Sequence, residues 1–166
     1  SSSGLTVTDA VTVTVNPLPA VTFDAVGALC LNNPPLDLST LVSPSGGTFS
    51  GPGMSGSTFD PAAAGEGTHS LTYAFTDGNG CRNSASQSVT VNPVPMVEVS
   101  GDGAVCTGTT HLYTATTNAA SPSYSWSITG GTINGNDTDN TVSVTAGSVG
   151  VMNVSVTVTD GATSCS

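Results

Sequence analysis

Three stretches of the chain alternate apolar and polar residues with period two: Val11-Thr-Val-Thr-Val15, Ser88-Val-Thr-Val91 and Val154-Ser-Val-Thr-Val158. Such alternation predicts strands that bury valine on one face and show serine or threonine to water on the other. Turn-forming clusters lie between the runs: Asn32-Asn-Pro-Pro35, Ser43-Pro-Ser-Gly-Gly47, Ser50-Gly-Pro-Gly53, Asp77-Gly-Asn-Gly80 and Asn134-Gly-Asn136. Only Asp60-Pro-Ala-Ala-Ala64 hints at a helical turn, and its proline and the following glycine keep it short. The pattern predicts an all-β fold.

The pattern also repeats. Val91-Asn-Pro-Val-Pro95 restates Val15-Asn-Pro-Leu-Pro19 after 76 positions. Fourteen residues beyond each asparagine stands a cysteine, Cys30 in Gly-Ala-Leu-Cys and Cys106 in Gly-Ala-Val-Cys. A second cysteine follows Thr-Asp-Gly in each half, Cys81 after Thr76-Asp-Gly78 and Cys165 after Thr159-Asp-Gly161. Leu71, Tyr73 and Phe75 fall in the slots of Val154, Val156 and Val158. Two tandem β-sandwich modules are expected, residues 16–91 and 92–166, preceded by an extra N-terminal strand within residues 1–15. Asn-Pro-x-Pro marks the joint, because two prolines make a stiff, extended connector and a string of such modules a semi-rigid rod.

Charge then narrows the functions. Only 7% of the 166 residues are charged, against roughly 25% in an ordinary soluble protein. Arg82 is the sole basic side chain apart from two histidines, and the net charge is -10. No basic footprint exists for nucleic acid, and an anionic membrane surface repels the chain. Lysine-dependent chemistry, from phosphate-binding loops to Schiff bases, has no lysine to use. Apolar runs are only a handful of residues long, so membrane insertion is not expected. No charged segment leading into an apolar one marks a secretion signal, which is expected to have been removed or to lie outside this sequence.

Four cysteines allow three pairings, and the repeat favours Cys30–Cys81 with Cys106–Cys165, because each module then repeats its own bond. Closing loops of this length stabilises a module by about 4 kcal/mol in the chain-entropy description. Disulfides imply an oxidising, extracytoplasmic compartment. No Cys-x-x-Cys spacing favours a metal instead.

Further motifs carry a resemblance over nearly the whole chain. Ser123-Tyr-Ser-Trp-Ser-Ile-Thr-Gly-Gly131, ahead of Val154-Ser-Val-Thr-Val-Thr-Asp160, resembles the PKD-type Ig-like repeat. Gly47-Thr-Phe-Ser-Gly-Pro-Gly53, Phe59-Asp-Pro-Ala-Ala-Ala-Gly65 and Gly67-Thr-His-Ser-Leu-Thr-Tyr73 resemble a sister Ig-like repeat. The resemblance implies large secreted, adhesin-like surface proteins of Bacteroidota, associated with gliding and type IX secretion. One departure is Thr129-Gly-Gly131, where the PKD pattern has Gly-Asp-Gly, so no role of that aspartate transfers.

The chain ends do not match the modules. Module 1 continues past its second cysteine into a closing strand, Ser84–Val91, which module 2 lacks. In front, Leu5, Val7, Val11, Val13 and Val15 share one alternation phase and end in the same Val-Asn-Pro. Two readings follow: a window cut from a longer array, or a donor strand that completes module 2 of the next subunit. The second contact is heterologous and builds a filament.

Trp126, Phe49, Tyr73 and Phe75 are assigned to the core, Trp126 as the tryptophan that packs on an inter-sheet disulfide in Ig-like sandwiches. His69 and His111 are read as strand residues rather than ligands. Asn134–Asn140 is rich in oxygen ligands but lacks the spaced acids and distal Glu of a calcium loop, so a solvated turn is expected and calcium is a minor alternative. Asp77 and Asp160 are placed to cap their own turns. No Gly-x-Ser-x-Gly or nucleophile–base spacing indicates an enzyme.

The expectation is a non-enzymatic extracellular or cell-surface protein of a bacterium, structural or adhesive, without cofactor. Its partners are copies of itself or neighbouring modules, and surface glycans in an adhesive role. The alternatives are passive spacer modules of a giant adhesin and a carbohydrate-binding module.

Overall fold

The computed structural model describes residues 9–166. Within residues 16–91 the strands are β1 (Thr22–Phe23), β2 (Leu29–Cys30), β3 (Leu36–Asp37), β4 (Val42–Ser43), β5 (Thr48–Ser50), β6 (Met54–Ser55), β7 (Thr58–Phe59), β8 (Gly67–Thr76) and β9 (Arg82–Asn92). The one α-helical turn, α1 (Pro61–Ala64), sits where the sequence hints at it. Proline occupies its first turn, and the Asp60 carboxylate accepts from the amides of Ala62 at 3.0 Å and Ala63 at 3.4 Å.

The spine of this module is the antiparallel hairpin β8–β9, in register from Gly67↔Val91 to Thr76↔Arg82. Strand β5 flanks β8 with Phe49 opposite Tyr73, and β2 joins the end of β9 in parallel, Cys30 opposite Asn92. The pairs β1–β4 and β3–β7–β6 complete the sandwich. Alternation puts Leu71 and Tyr73 of β8 and Val89 and Val91 of β9 into one core with Phe23, Leu38 and Phe59. Phe49 and Phe75 are half-buried against that core, and the Phe49 ring lies 4.7 Å from that of Tyr73.

Tyr73 also ties a loop to the sheet. Its hydroxyl donates to the Pro44 carbonyl at 2.7 Å and accepts from the Gly47 amide at 2.7 Å. A Cβ at Gly47 would lie 2.6 Å from the tyrosine Cζ, so the close approach requires glycine there.

Residues 92–166 form two sheets from β10 (Val97–Ser100), β11 (Thr110–Thr117), β12 (Pro122–Thr129), β13 (Gly131–Asn134), β14 (Thr141–Ala146) and β15 (Asn153–Asp160). The order is β10–β11–β14–β13 in one sheet and β12–β15 in the other. Trp126, opposite Val156, is buried with Tyr113, Ala115, Val142 and Val144. Its indole N–H donates to the Asp139 carbonyl at 2.8 Å.

The repeat persists in the pairing: Phe49 faces Tyr73 across β5–β8 as Trp126 faces Val156 across β12–β15. The difference is at the edge. Strand β8 has β9 on its far side, whereas β15 pairs with β12 alone among the described residues.

The N-terminal leader is described only from residue 9 onward. Residues 9–15 form no strand, and Val11, Val13 and Val15 are 87%, 73% and 88% exposed. A lone segment has no ladder to join, and among the described residues nothing pairs with residues 9–15. Leu5 and Val7 lie outside the described residues.

Replacing Tyr73 by phenylalanine strands the Gly47 amide and the Pro44 carbonyl while keeping the ring. We expect a loss of about 1–3 kcal/mol in urea unfolding followed by circular dichroism; an unchanged midpoint would show that the hydroxyl does not hold this loop.

Candidate functional site

The expected disulfides, Cys30–Cys81 and Cys106–Cys165, are not formed. The bond present joins Cys30 to Cys165, with Cα atoms 5.6 Å apart, while Cys81 and Cys106 remain thiols. The hairpin explains the correction. Cys81 lies in the turn that opens β9, and Cys30 lies beside Asn92 at that strand's other end. Ten residue steps of strand separate them by roughly 33 Å, far beyond the ~7 Å that a disulfide spans between Cα atoms.

Module 2 repeats the separation. Gly108, just after Cys106, bonds to Ala146, and Gly147 bonds to Gly130, at the end of the sandwich where β15 begins opposite Thr129. Cys165 lies at the other end of β15, where its carbonyl accepts from the Asp160 amide at 2.9 Å. The bond between modules therefore crosses the Asn92 joint and staples the two sandwiches there. A second link lies beside it: the Asn32 side-chain amide donates to the Ser166 carbonyl at 2.9 Å.

The turns that carry the cysteines are built alike in both modules. Asp77 donates its amide to the Cys81 carbonyl at 3.0 Å, as Asp160 does to that of Cys165. Each aspartate also caps its own turn, accepting from Asn79 at 2.9 Å in one case and from Ala162 at 2.9 Å in the other. The first cysteines match as well. The amide of Asn33 donates to the Cys30 carbonyl at 2.9 Å, and that of Thr109 to the Cys106 carbonyl at 3.2 Å.

The Ala162 amide holds the Asp160 carboxyl below its ordinary value of 3.8; desolvation opposes this, and the amides of Ala120 and Ser121 add to it. Because the folded value is the lower one, the cap acts fully above the ordinary value and is lost as pH falls through the folded value.

The other candidate residues take structural places. Trp126 is 4% exposed, with no face open to a sugar and no disulfide beneath it. That removes the inter-sheet bond expected under the indole. His69 Nε2 stands 2.8 Å from the Gly65 carbonyl, where α1 ends. The Asn134–Asn140 loop uses its oxygens internally: Asp137 and Asp139 carbonyls hold the Trp126 amide and indole, and Asn136 bonds Asp139 at 3.0 Å. No group of three or more His, Cys, Asp or Glu able to hold a metal occurs among the described residues. A cleft of about 400 Å³ is lined by Val42, Phe49 and Tyr73 with the hydroxyls of Ser39, Ser45, Thr48 and Ser57; it holds no charged side chain, and the Tyr73 hydroxyl is already spent on Pro44 and Gly47.

One cluster escaped sequence reasoning. His111 Nδ1 lies 2.7 Å from Asp102 Oδ2, and its Nε2 lies 2.6 Å from Thr109 Oγ1. A carboxylate–imidazole–hydroxyl chain resembles a nucleophile relay, but Thr109 donates its hydroxyl proton to the Cys106 carbonyl at 2.6 Å. The chain thus clamps the Asp102–Cys106 loop onto β11. Only His111 opening its strand was visible beforehand; the loop that brings Asp102 to it carries no spacing signal.

A family model described as bacterial Ig domain matches residues 2–92, and one described as PKD-like domain matches residues 92–166. Comparison with curated proteins finds no match.

Because Asp160 caps the turn bearing Cys165, the Ala162 and Ala120 amide resonances should titrate together with a midpoint below 3.8. Asp160→Ala should remove that titration and speed reduction of Cys30–Cys165 by dithiothreitol several-fold. An unchanged reduction rate would separate the aspartate from the disulfide.

Proposed function

We propose, since the chain belongs to the bacterial Ig domain family and continues into a PKD-like domain, that it is a non-enzymatic structural repeat of a bacterial surface, assembling head to tail by donor-strand complementation. The observation that carries this reading is one pentapeptide in two environments. Val-Thr-Val-Asn-Pro occurs at residues 13–17 and again at 89–93. In β9 its valines, Val89 and Val91, are fully buried, whereas Val13 and Val15 stand in solvent.

The place for the exposed copy is the free edge of β15. In module 1, β9 pairs with β8 and also holds β1, the Gln87 side chain donating to the Phe23 carbonyl at 2.7 Å. Strand β15 is the counterpart of β8, and Val97 and Val99 of neighbouring β10 are 39% and 43% exposed. The leader of a second copy, Leu5 to Val15, supplies both the missing ladder and the missing apolar face. Each valine so buried contributes about 1.5–3 kcal/mol. The contact joins unlike surfaces and does not close on itself, so it propagates as a fibre.

Support for a surface location comes from the two domain classes and from the disulfide, which forms in oxidising compartments. The resemblance of the Ser123–Gly131 and Gly47–Gly53 motifs to repeats of large Bacteroidota surface proteins supports a gliding- or adhesion-associated array as the setting. The partners in this reading are copies of the chain or neighbouring modules, and no cofactor takes part. A net charge of -10 gives nucleic acid no footing.

Negative-stain electron microscopy tests the reading. The intact chain should form filaments, and chains lacking residues 1–15 or carrying Val13→Asp and Val15→Asp should give single short particles. Single particles from the intact chain, or filaments from all three, would overturn donor-strand assembly.

A further inference from the structure

The cysteine pattern extends the head-to-tail reading, on which the following inference rests. Cys30 and Cys165 meet at Asn92, the first residue of one Asn-Pro-x-Pro joint. Asn16 is the first residue of the other. Cys81, the counterpart of Cys165, already stands at that joint, its Sγ 4.0 Å from the Asn16 carbonyl. The turn that holds it is closed by the same aspartate amide-to-cysteine carbonyl bond as that of Cys165. Cys106, the counterpart of Cys30, is an exposed thiol at the end of module 2 away from the stapled joint, held by the His111–Thr109 clamp.

We infer that Cys106 of one copy forms a disulfide with Cys81 of the next. A leader seated on β15 as β9 sits on β8 brings its Asn16 beside Cys106, just as Asn92 lies beside Cys30. Cys81 of the incoming copy arrives with Asn16. The two thiols then stand in the relation of Cys30 to Cys165, and every joint of the fibre, within a chain or between chains, carries one bond of the same kind. Each thiol occupies, turn for turn, the place of a residue already bonded in this chain.

The reaction is an oxidation. Two S–H bonds are lost and one S–S bond forms, and the two electrons and two protons pass to a small-molecule or protein disulfide, which is reduced to two thiols. Within one chain the same pair does not meet, because Cys81 and Cys106 each lie at the end of their module remote from the Cys30–Cys165 bond.

Mixing the full-length Cys81→Ser and Cys106→Ser variants in a glutathione redox buffer tests the pairing. The first offers only Cys106 and the second only Cys81, so with one variant carrying a size tag the mixed dimer should exceed the roughly 1:2:1 ratio of random pairing on non-reducing gels. Digestion at aspartates should then recover the fragment holding Cys81 bonded to the one holding Cys106. Random ratios, or thiols that stay free while the intact chain forms filaments, would overturn the inference and leave the assembly reading standing. Filaments absent from the intact chain, with the mixed dimer still in excess and insensitive to loss of residues 1–15, would uphold the cysteine pairing and overturn the donor strand.

Discussion

The antiparallel ladder between β8 and β9 is the contact from which the rest of module 1 follows. Its ten registered pairs place Leu71, Tyr73, Val89 and Val91 on one face, which is the core. Its length sets Cys81 at one end of the sandwich and Cys30 at the other. Since a disulfide reaches only ~7 Å between Cα atoms, that separation forbids a bond within the module and leaves the joint as the place where a first cysteine can find a second. Among the described residues, the same ladder is what β15 lacks. A strand paired on one side only keeps a row of backbone donors and acceptors in water, and its apolar neighbours remain partly exposed.

Much of this was legible in the residues. The alternation in Ser88–Val91 and Val154–Val158 marks β9 and β15, and the turn clusters fall between strands. Asp60-Pro-Ala-Ala-Ala64 becomes the α-helical turn of the described residues. The disulfide was not legible, for a definite reason. Repeat symmetry is satisfied equally by a bond inside each module and by a bond from each module to the next; spacing counts residues but not which end of a hairpin they occupy. The leader is a related case. Its valines have the period of a strand, but a period supplies no partner, and residues 9–15 lie outside every ladder of the described residues. The Asp102–His111–Thr109 clamp was invisible because a loop, not a periodic element, brings its members together.

Low charge gives these modules a particular surface chemistry. Hydroxyls, not ion pairs, line the exposed faces of the ladders: Thr72 with Ser86 at 2.9 Å, Thr110 with Thr145 at 2.9 Å, and Ser127 with Ser155 at 2.7 Å. Such cross-strand pairs contribute roughly 0.2–1 kcal/mol each and depend little on ionic strength. Cohesion within and between modules then rests on strand pairing, buried valines and the cysteine staple, none of which is weakened by salt.

The central claim is that the disulfide runs between modules and not within them. Aspartate-directed proteolysis of the unreduced chain separates all four cysteines, into fragments 24–36, 77–101, 102–136 and 160–166. Mass spectrometry should find fragment 24–36 bonded to fragment 160–166. Fragment 24–36 bonded to 77–101, with 102–136 bonded to 160–166, would contradict the account at its root.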